Sequence, residues 1–344
     1  MSSGLSERDA LSINMTTEVT ATAWDSRLKT YASLKIQEVE KFTVVVITDN
    51  YYDSLSPDVH FARRYRTSPE ASIHAEHGIS FYVETTVDNR TYGMMFDFGL
   101  DPVGVIRNME LLNVDLSRTS AFALSHGHFD HWGSLVKILK HNKSKIKKNT
   151  PLYIGEETFL NRFSIRPSDN VPTDIGRLKK EEIEELDIVK IVEIQNPTEV
   201  IPGVYLTGNI DRVTEYEKGS PNLLIKRGDK LEQDFFQGEQ AVICNVKNKG
   251  LAVIAGCAHA GIINTVKHAQ KITGEKVHVV IGGFHLINAV PEIIEGTLAD
   301  MEAIGPDYII PAHCTGFEAT TLFAQVMPEK FILNTAGTRY VFAG

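Results

Sequence analysis

Three imidazoles and a carboxylate fall within six residues of the stretch Ser125-His126-Gly127-His128-Phe129-Asp130-His131. These are metal-ligand types at metal-ligand density. In an extended run His126 and His128 project to the same side, while Asp130 and His131 can turn toward a second point nearby. The spacing suits two metal ions sharing one mouth.

The neighbouring residues indicate what positions this group. Ala121 to Leu124 are mostly apolar strand formers, and Gly133 to Leu139 repeats apolar side chains at helical spacing. A strand that ends in a ligand-dense turn and feeds a helix is therefore expected. Further strands are read at Phe42 to Thr48, Ile79 to Val83, Gly93 to Phe96, Leu152 to Ile154, Gly203 to Thr207 and Val277 to Ile281. Ala241 to Val246 and Leu251 to Ala255 read as a hairpin turning at Lys247-Asn248-Lys249-Gly250, and Tyr308 to Ile310 as a last short strand. Gly261 to Ala269 and Pro291 to Ile304 read as helices, and Lys179 to Glu185 as a solvated helix face. The segment between Ile154 and Gly203 reads as a proline-broken loop around that charged run. Apolar strands flanked by amphipathic helices favour an α/β fold with sheets covered on their outer faces.

The chain of 344 residues, 42% of them hydrophobic, is long enough for a large core. Its formal charge of -9 and the lack of a broad Lys/Arg surface argue against a nucleic-acid partner. Three cysteines, Cys244, Cys257 and Cys314, are too few for a disulfide scaffold and fit a reducing compartment. No apolar leader-like run opens the sequence and no run reaches the length of a membrane span, so a cytoplasmic protein without a membrane partner is expected. Residues 1-36 are read as an N-terminal extension, either a tail or an arm over a second copy in a homodimer, ahead of a domain spanning 37-344.

Single histidines recur behind later strands: His259 in Ala255-Gly256-Cys257-Ala258-His259, His285 in Gly282-Gly283-Phe284-His285, and His313 after the last strand. Polar residues at successive strand ends converge on one rim when the strands share a sheet edge. The segments AEHGIS, FDFG, SHGHFDH, GCAHAGIINTV, GGFHL and PAHCTG, in this order, resemble the metallo-beta-lactamase superfamily and its HxHxDH signature. More narrowly they resemble the branch labelled 7,8-dihydropterin-6-yl-methyl-4-(ribofuranosyl)aminobenzene 5'-phosphate synthase-like. The resemblance covers roughly residues 40 to 344. It implies an αββα sandwich of two mixed sheets flanked by helices, with a metal centre at one edge.

By position, the resemblance implies that His126 and His128 bind a first metal and that Asp130 and His131 bind a second, completed by His313. The aspartate that usually bridges the ions is replaced by Cys257, either a thiolate ligand or a small buried side chain turned away. His259 is assigned to the vacancy left by the superfamily's middle histidine. Asp97, after an apolar strand, either orients an imidazole through the ring nitrogen that does not bind metal or caps a turn. Asp49 and Asn50 can shape the same rim. His74 and His77, flanking Glu76, are either pocket or surface residues. Cys314 is read as packing beside His313, and Cys244 as core.

Imidazole and carboxylate donors suit two divalent ions, zinc first and manganese or iron as alternatives. Two such ions lower the pKa of a shared water and stabilise developing oxygen charge. A metal-dependent hydrolase follows as the leading expectation, acting on a small phosphodiester or cyclic phosphodiester. Asp130 would orient the water and His285 would serve the leaving group. Lactone or carboxylic ester hydrolysis, a pterin-linked arylamine ribosyl phosphate synthase, an iron-dependent oxidoreductase and a noncatalytic metal-stabilised binding protein are the alternatives. Phe129 and Trp132 are candidate pocket walls, and Arg63, Arg64 and Arg66 a candidate phosphate-binding edge.

Overall fold

The computed structural model describes residues 34–344 except 167 and 169. Its framework is two facing sheets with one apolar layer between them and one on each outer face. The first sheet runs Thr198–Ile201, Val204–Leu206, Val242–Val246, Gly250–Ala255, Val277–Gly283, Tyr308–Ala312, with Glu38–Val39 added beside Val242–Val246. The second runs Val189–Glu193, Thr150–Ile154, Thr119–Ala123, Arg90–Phe96, Ser80–Val87, Lys41–Thr48, Thr338–Ala343, Ala62–Arg64. Both are mixed. Gly250–Ala255, Val277–Gly283 and Tyr308–Ala312 pair in parallel, as do Arg90–Phe96, Thr119–Ala123, Thr150–Ile154 and Val189–Glu193, and the rest of each ladder is antiparallel or short.

Period-two alternation divides each central strand between two environments. Val44, Val46, Phe81, Val83, Met94 and Phe96 point into the layer shared with Val242, Cys244, Ile254, Val279 and Ile281. Val45, Ile47, Tyr82, Met95 and Phe122 point outward, under the helices Pro102–Leu111, Leu135–His141 and Lys180–Glu184. On the other flank Val253, Val280 and Ile309 pack beneath Ile262–Thr273, Pro291–Ile304 and Phe317–Val326. This is the αββα sandwich expected from the sequence.

The segment read as a proline-broken loop carries structure instead. Arg162–Ile165 and Pro172–Gly176 join Leu223–Arg227 and Lys230–Gln233 in a small antiparallel sheet, and Val189–Glu193 and Thr198–Ile201 extend the two large sheets. The expected N-terminal extension lies almost wholly outside the described residues, although Ile36 is buried in the layer beneath Ile262–Thr273. No helix among the described residues is long and apolar enough to cross a membrane.

Candidate metal centre

The residues with metal-ligand chemistry lie just past the carboxyl ends of strands from both sheets. Thr119–Ala123 leads into His126 to His131, Gly250–Ala255 into Cys257 and His259, Val277–Gly283 into His285, and Tyr308–Ala312 into His313. Parallel strands put these ends on one rim, where open α/β sheets place ligands. Backbone strain gathers there: Asp97, Phe236, Ala258, His285 and His313 all adopt positive φ, between 49° and 57°. Such conformations persist in non-glycine residues only when the surroundings enforce them.

His126, His128 and His259 form one buried group whose ligand atoms lie within 4.8 Å of one another. The Nε2 atoms of His126 and His259 are 3.2 Å apart. Two nitrogens held at about 2.0–2.1 Å by a tetrahedral zinc would be about 3.3 Å apart. Asp130, His131, Cys257 and His313 form the second group, again buried and within 4.8 Å. Here His131 Nε2 is 3.1 Å from Cys257 Sγ, and His313 Nε2 is 3.1 Å from Asp130 Oδ2. The Cys257 thiol therefore faces the centre and is not turned into the core.

The outward ring nitrogens are tied to protein groups. Asp97, wholly buried, accepts from Ser125 N at 2.7 Å, Ser125 Oγ at 2.7 Å and His131 Nδ1 at 2.6 Å. Because the Ser125 hydroxyl donates to Asp97, it accepts from His126 Nδ1, 2.9 Å away. His313 Nδ1 donates to Asn50 Oδ1 at 2.9 Å. Each bond engages Nδ1 and fixes the ring with Nε2 aimed inward, as metal-ligating histidines require. Gly127 and Gly256 permit this packing: a Cβ at Gly127 would strike the Arg162 guanidinium and Thr158 O, and one at Gly256 would strike Ser125 and Asp97.

The electrostatics fit cations. Burial, reinforced by neighbouring imidazoles, holds His126 and His259 far below the usual histidine range. Burial does the same for His128, although Asp130 pulls the other way. All three are thus neutral donors at neutral pH. Burial opposes ionisation of Asp130, yet His131, His313 and His128 outweigh it and hold the carboxyl well below its usual value. Burial also opposes the charge on His131 and His313, but Asp97 and Asp130 raise the former, and Asp130, Cys314 and Asp49 bring the latter to about 9. His313 Nε2, an inward-facing atom of the second group, is buried without an aligned hydrogen-bond partner, an arrangement costly for a polar atom unless something else binds there. The two donor groups can each hold a metal ion.

Beside the first group opens a cavity of about 350 Å³ whose wall includes His259, His285, Phe284, Leu286, Ile287 and Val290, with Tyr216, Glu217 and Lys218 across it. His285, ring centroid 4.1 Å from that of His259, lies on this wall and also near the Cys257 and Cys314 sulfurs. His77 stands at the other side, Nε2 3.5 Å from Asp130 Oδ2 and its ring 5.1 Å from His313.

Other expected pocket residues lie away from this cavity, and Trp132 borders a separate one with Val136, Lys140 and Arg177. Phe129 and Trp132 do not line the cavity beside His259. Trp132 donates Nε1 to Gly127 O at 3.0 Å and packs into the layer under the outer helices. Arg63, Arg64 and Arg66 do not line it either, because their guanidinium groups serve the chain itself. Arg64 is buried and donates to Pro57 O, Leu333 O and Thr335 Oγ1, while Arg66 donates to Ser54 O, Ser56 O and Asp58, and Arg63 to Val59 O. The sequence reading missed Ser125 as a relay, Phe236 stacked on His259, and Glu239. Burial pushes the Glu239 carboxyl up to about 7 although it accepts from His259 N at 2.8 Å and Ala260 N at 2.6 Å. Only Ser125, adjoining the histidine motif, carried a sequence signal.

No protein-family model matches the chain. A 7,8-dihydropterin-6-methyl-4-(beta-D-ribofuranosyl)-aminobenzene-5'-phosphate synthase of Methanocaldococcus jannaschii is 32% identical over 267 residues, covering 76% of this chain and 89% of that protein. An uncharacterized protein of the same organism is 27% identical over 265 residues, 76% of this chain and 92% of its own length. A solved metal-dependent hydrolase of the beta-lactamase superfamily superposes with a TM-score of 0.67 at 23% identity, over 88% of this chain and 100% of the other. The chain belongs to the metallo-beta-lactamase superfamily, on the branch that holds the M. jannaschii synthase. Its donor groups and family place it among metal-dependent enzymes.

Proposed function

We propose that this chain uses two metal ions, zinc first and manganese or iron as alternatives, to displace a phosphate-bearing leaving group from a pterin-type ring by an arylamine. What supports this reading over simple hydrolysis is the 32% identity to the synthase across 89% of that protein. The donor geometry fits either reaction. His126, His128 and His259 would hold one ion, and Asp130, His131, Cys257 and His313 the other. Bound there, the ions supply positive charge that neutralises phosphate oxygens and steadies the leaving group.

The chain's own residues supply the rest. The cavity beside His259 presents Phe284, Leu286, Ile287 and Val290 as an apolar wall for a flat ring system. In the coupling, a bond forms between the arylamine nitrogen and the pterin's exocyclic carbon as the carbon–oxygen bond to a diphosphate breaks, and the amine proton is lost. His285 lies on the cavity wall where it can accept that proton. Asp130, kept ionised by its imidazole neighbours, orients the reacting group at the second position.

Hydrolysis of a small phosphodiester, cyclic phosphodiester or lactone is the second reading. It is favoured by His77, an exposed imidazole whose Nε2 lies 3.5 Å from the buried Asp130 Oδ2 and so links that carboxylate to solvent. Metal-loaded protein incubated with a dihydropterin diphosphate and an arylamine ribosyl phosphate should yield the coupled product. Turnover of phosphodiesters or lactones without coupled product would support hydrolysis, and no turnover of any of them would overturn both readings.

A further inference from the structure

His126, His131 and His313 each have an outer nitrogen fixed by a polar partner: Ser125, Asp97 and Asn50. His259 does not. Its Nδ1 is buried without a hydrogen-bond partner, so the device that orients those three rings is missing. Its imidazole instead lies flat on Phe236, with ring centroids 3.8 Å apart and planes within 7°. The same phenyl meets His128 edge-on at 5.0 Å and 87°, and His126 at 5.7 Å and 72°. One aromatic ring therefore touches all three imidazoles of the first donor group, with no atom able to bind metal.

The ring is held by burial, a backbone hydrogen bond and a neighbouring guanidinium. Phe236 is buried at a φ of 51°. Asp234 Oδ1 accepts its backbone N–H at 2.8 Å, and Asp234 Oδ2 accepts from the buried Arg162 at 2.7 Å. The Arg162 guanidinium carbon is 5.8 Å from the phenyl centre, within cation–π range. Further along, Glu239 grips the backbone of His259, and Gln240 binds Ser125 O and Leu124 O just ahead of the histidine motif. The segment from Asp234 to Gln240 thus braces both chain segments that bear the first donor group.

We propose that Phe236 is a positioning residue for the first metal position, its flat face setting the His259 ring where hydrogen bonds to Ser125, Asp97 and Asn50 set those of His126, His131 and His313. The proposal rests on the metal-centre reading above and adds a determinant outside both donor groups. Partners that orient a ligand imidazole typically alter metal affinity ~10–100-fold when removed, and a change of that order is expected here.

The test is cobalt(II) titration of metal-stripped, folded protein, with circular dichroism to verify the fold. Sulfur-to-cobalt charge-transfer absorption reports the position containing Cys257, and visible bands without it report the all-imidazole position. Phe236→Ala and Phe236→Leu should weaken the imidazole position ~10–100-fold and leave the thiolate band's titration unchanged. Phe236→Tyr, which keeps the flat face, should restore near wild-type binding. Phe236→Leu keeps bulk and apolarity without a ring, so it tests stacking even if the alanine variant fails to fold. Wild-type affinity in Phe236→Leu, or equal weakening of both positions, would overturn the proposal. No cobalt uptake by the wild-type protein would instead sink the metal-centre reading itself.

Discussion

Asp97 receives three donors in a fully buried site and so orients His131 directly and His126 through Ser125. Asp97→Asn replaces one acceptor oxygen with a donor while keeping shape. Metal affinity at the His131 position should fall ~10–100-fold in equilibrium titration, and unchanged affinity would contradict the orienting role. Protons separate the two positions. His126, His128 and His259 lie far below the usual 6.5 in the folded chain and carry no proton to displace at neutral pH. His313 is raised to about 9, His131 is raised, and burial pushes the Cys257 thiol up, so binding at the second position must expel protons. Affinity at the second position should therefore climb as pH rises toward 9, while the first stays flat above pH 7. Calorimetric titrations in buffers of different ionisation enthalpy would measure the proton release.

Arg162, in the small inserted sheet, and Asp234, at its edge where the segment to Phe236 begins, form a 2.7 Å ion pair with side chains 3% and 0% exposed. Removing one partner strands a charge away from water. Asp234→Ala should cost about 3–5 kcal/mol in denaturant unfolding, and a loss under about 1 kcal/mol would contradict a buried, coupled pair. This sheet was also the least legible element. Its strands are four or five residues long and half-exposed, with Pro172 opening one and Pro221 just ahead of another, so they show neither clean alternation nor a continuous apolar run. Pro291–Ile304, in contrast, was readable to its ends because proline opens it and Gly305, at φ 68°, closes it. The histidines were legible for a similar reason: their spacing and their repeated place after strands are written locally. Phe236 and Glu239 were not, because each acts on His259 across the fold and nothing adjacent in sequence marks that contact. For Arg64 and Arg66 the sequence shows the charge but not the backbone carbonyls that engage it.

The donor groups draw on both sheets. His126 to His131 follow a strand of the second sheet, whereas Cys257, His259 and His313 follow strands of the first. Ions bound between them would link the two halves of the sandwich at its rim, as a ligand that binds only the folded state. Chelation should lower unfolding stability by about 2.7 kcal/mol for each ion previously present at 100 times its dissociation constant, read as a fall in midpoint. An unchanged midpoint after complete metal removal would contradict this cross-linking. The central claim is tested most directly by counting metal per chain, in wild-type and His128→Ala protein, after loading and removal of free ions. About two equivalents in the wild type, with loss of at least one together with turnover in His128→Ala, is the predicted result. A wild-type protein that retains no metal, or a variant with the same content and turnover, would contradict it.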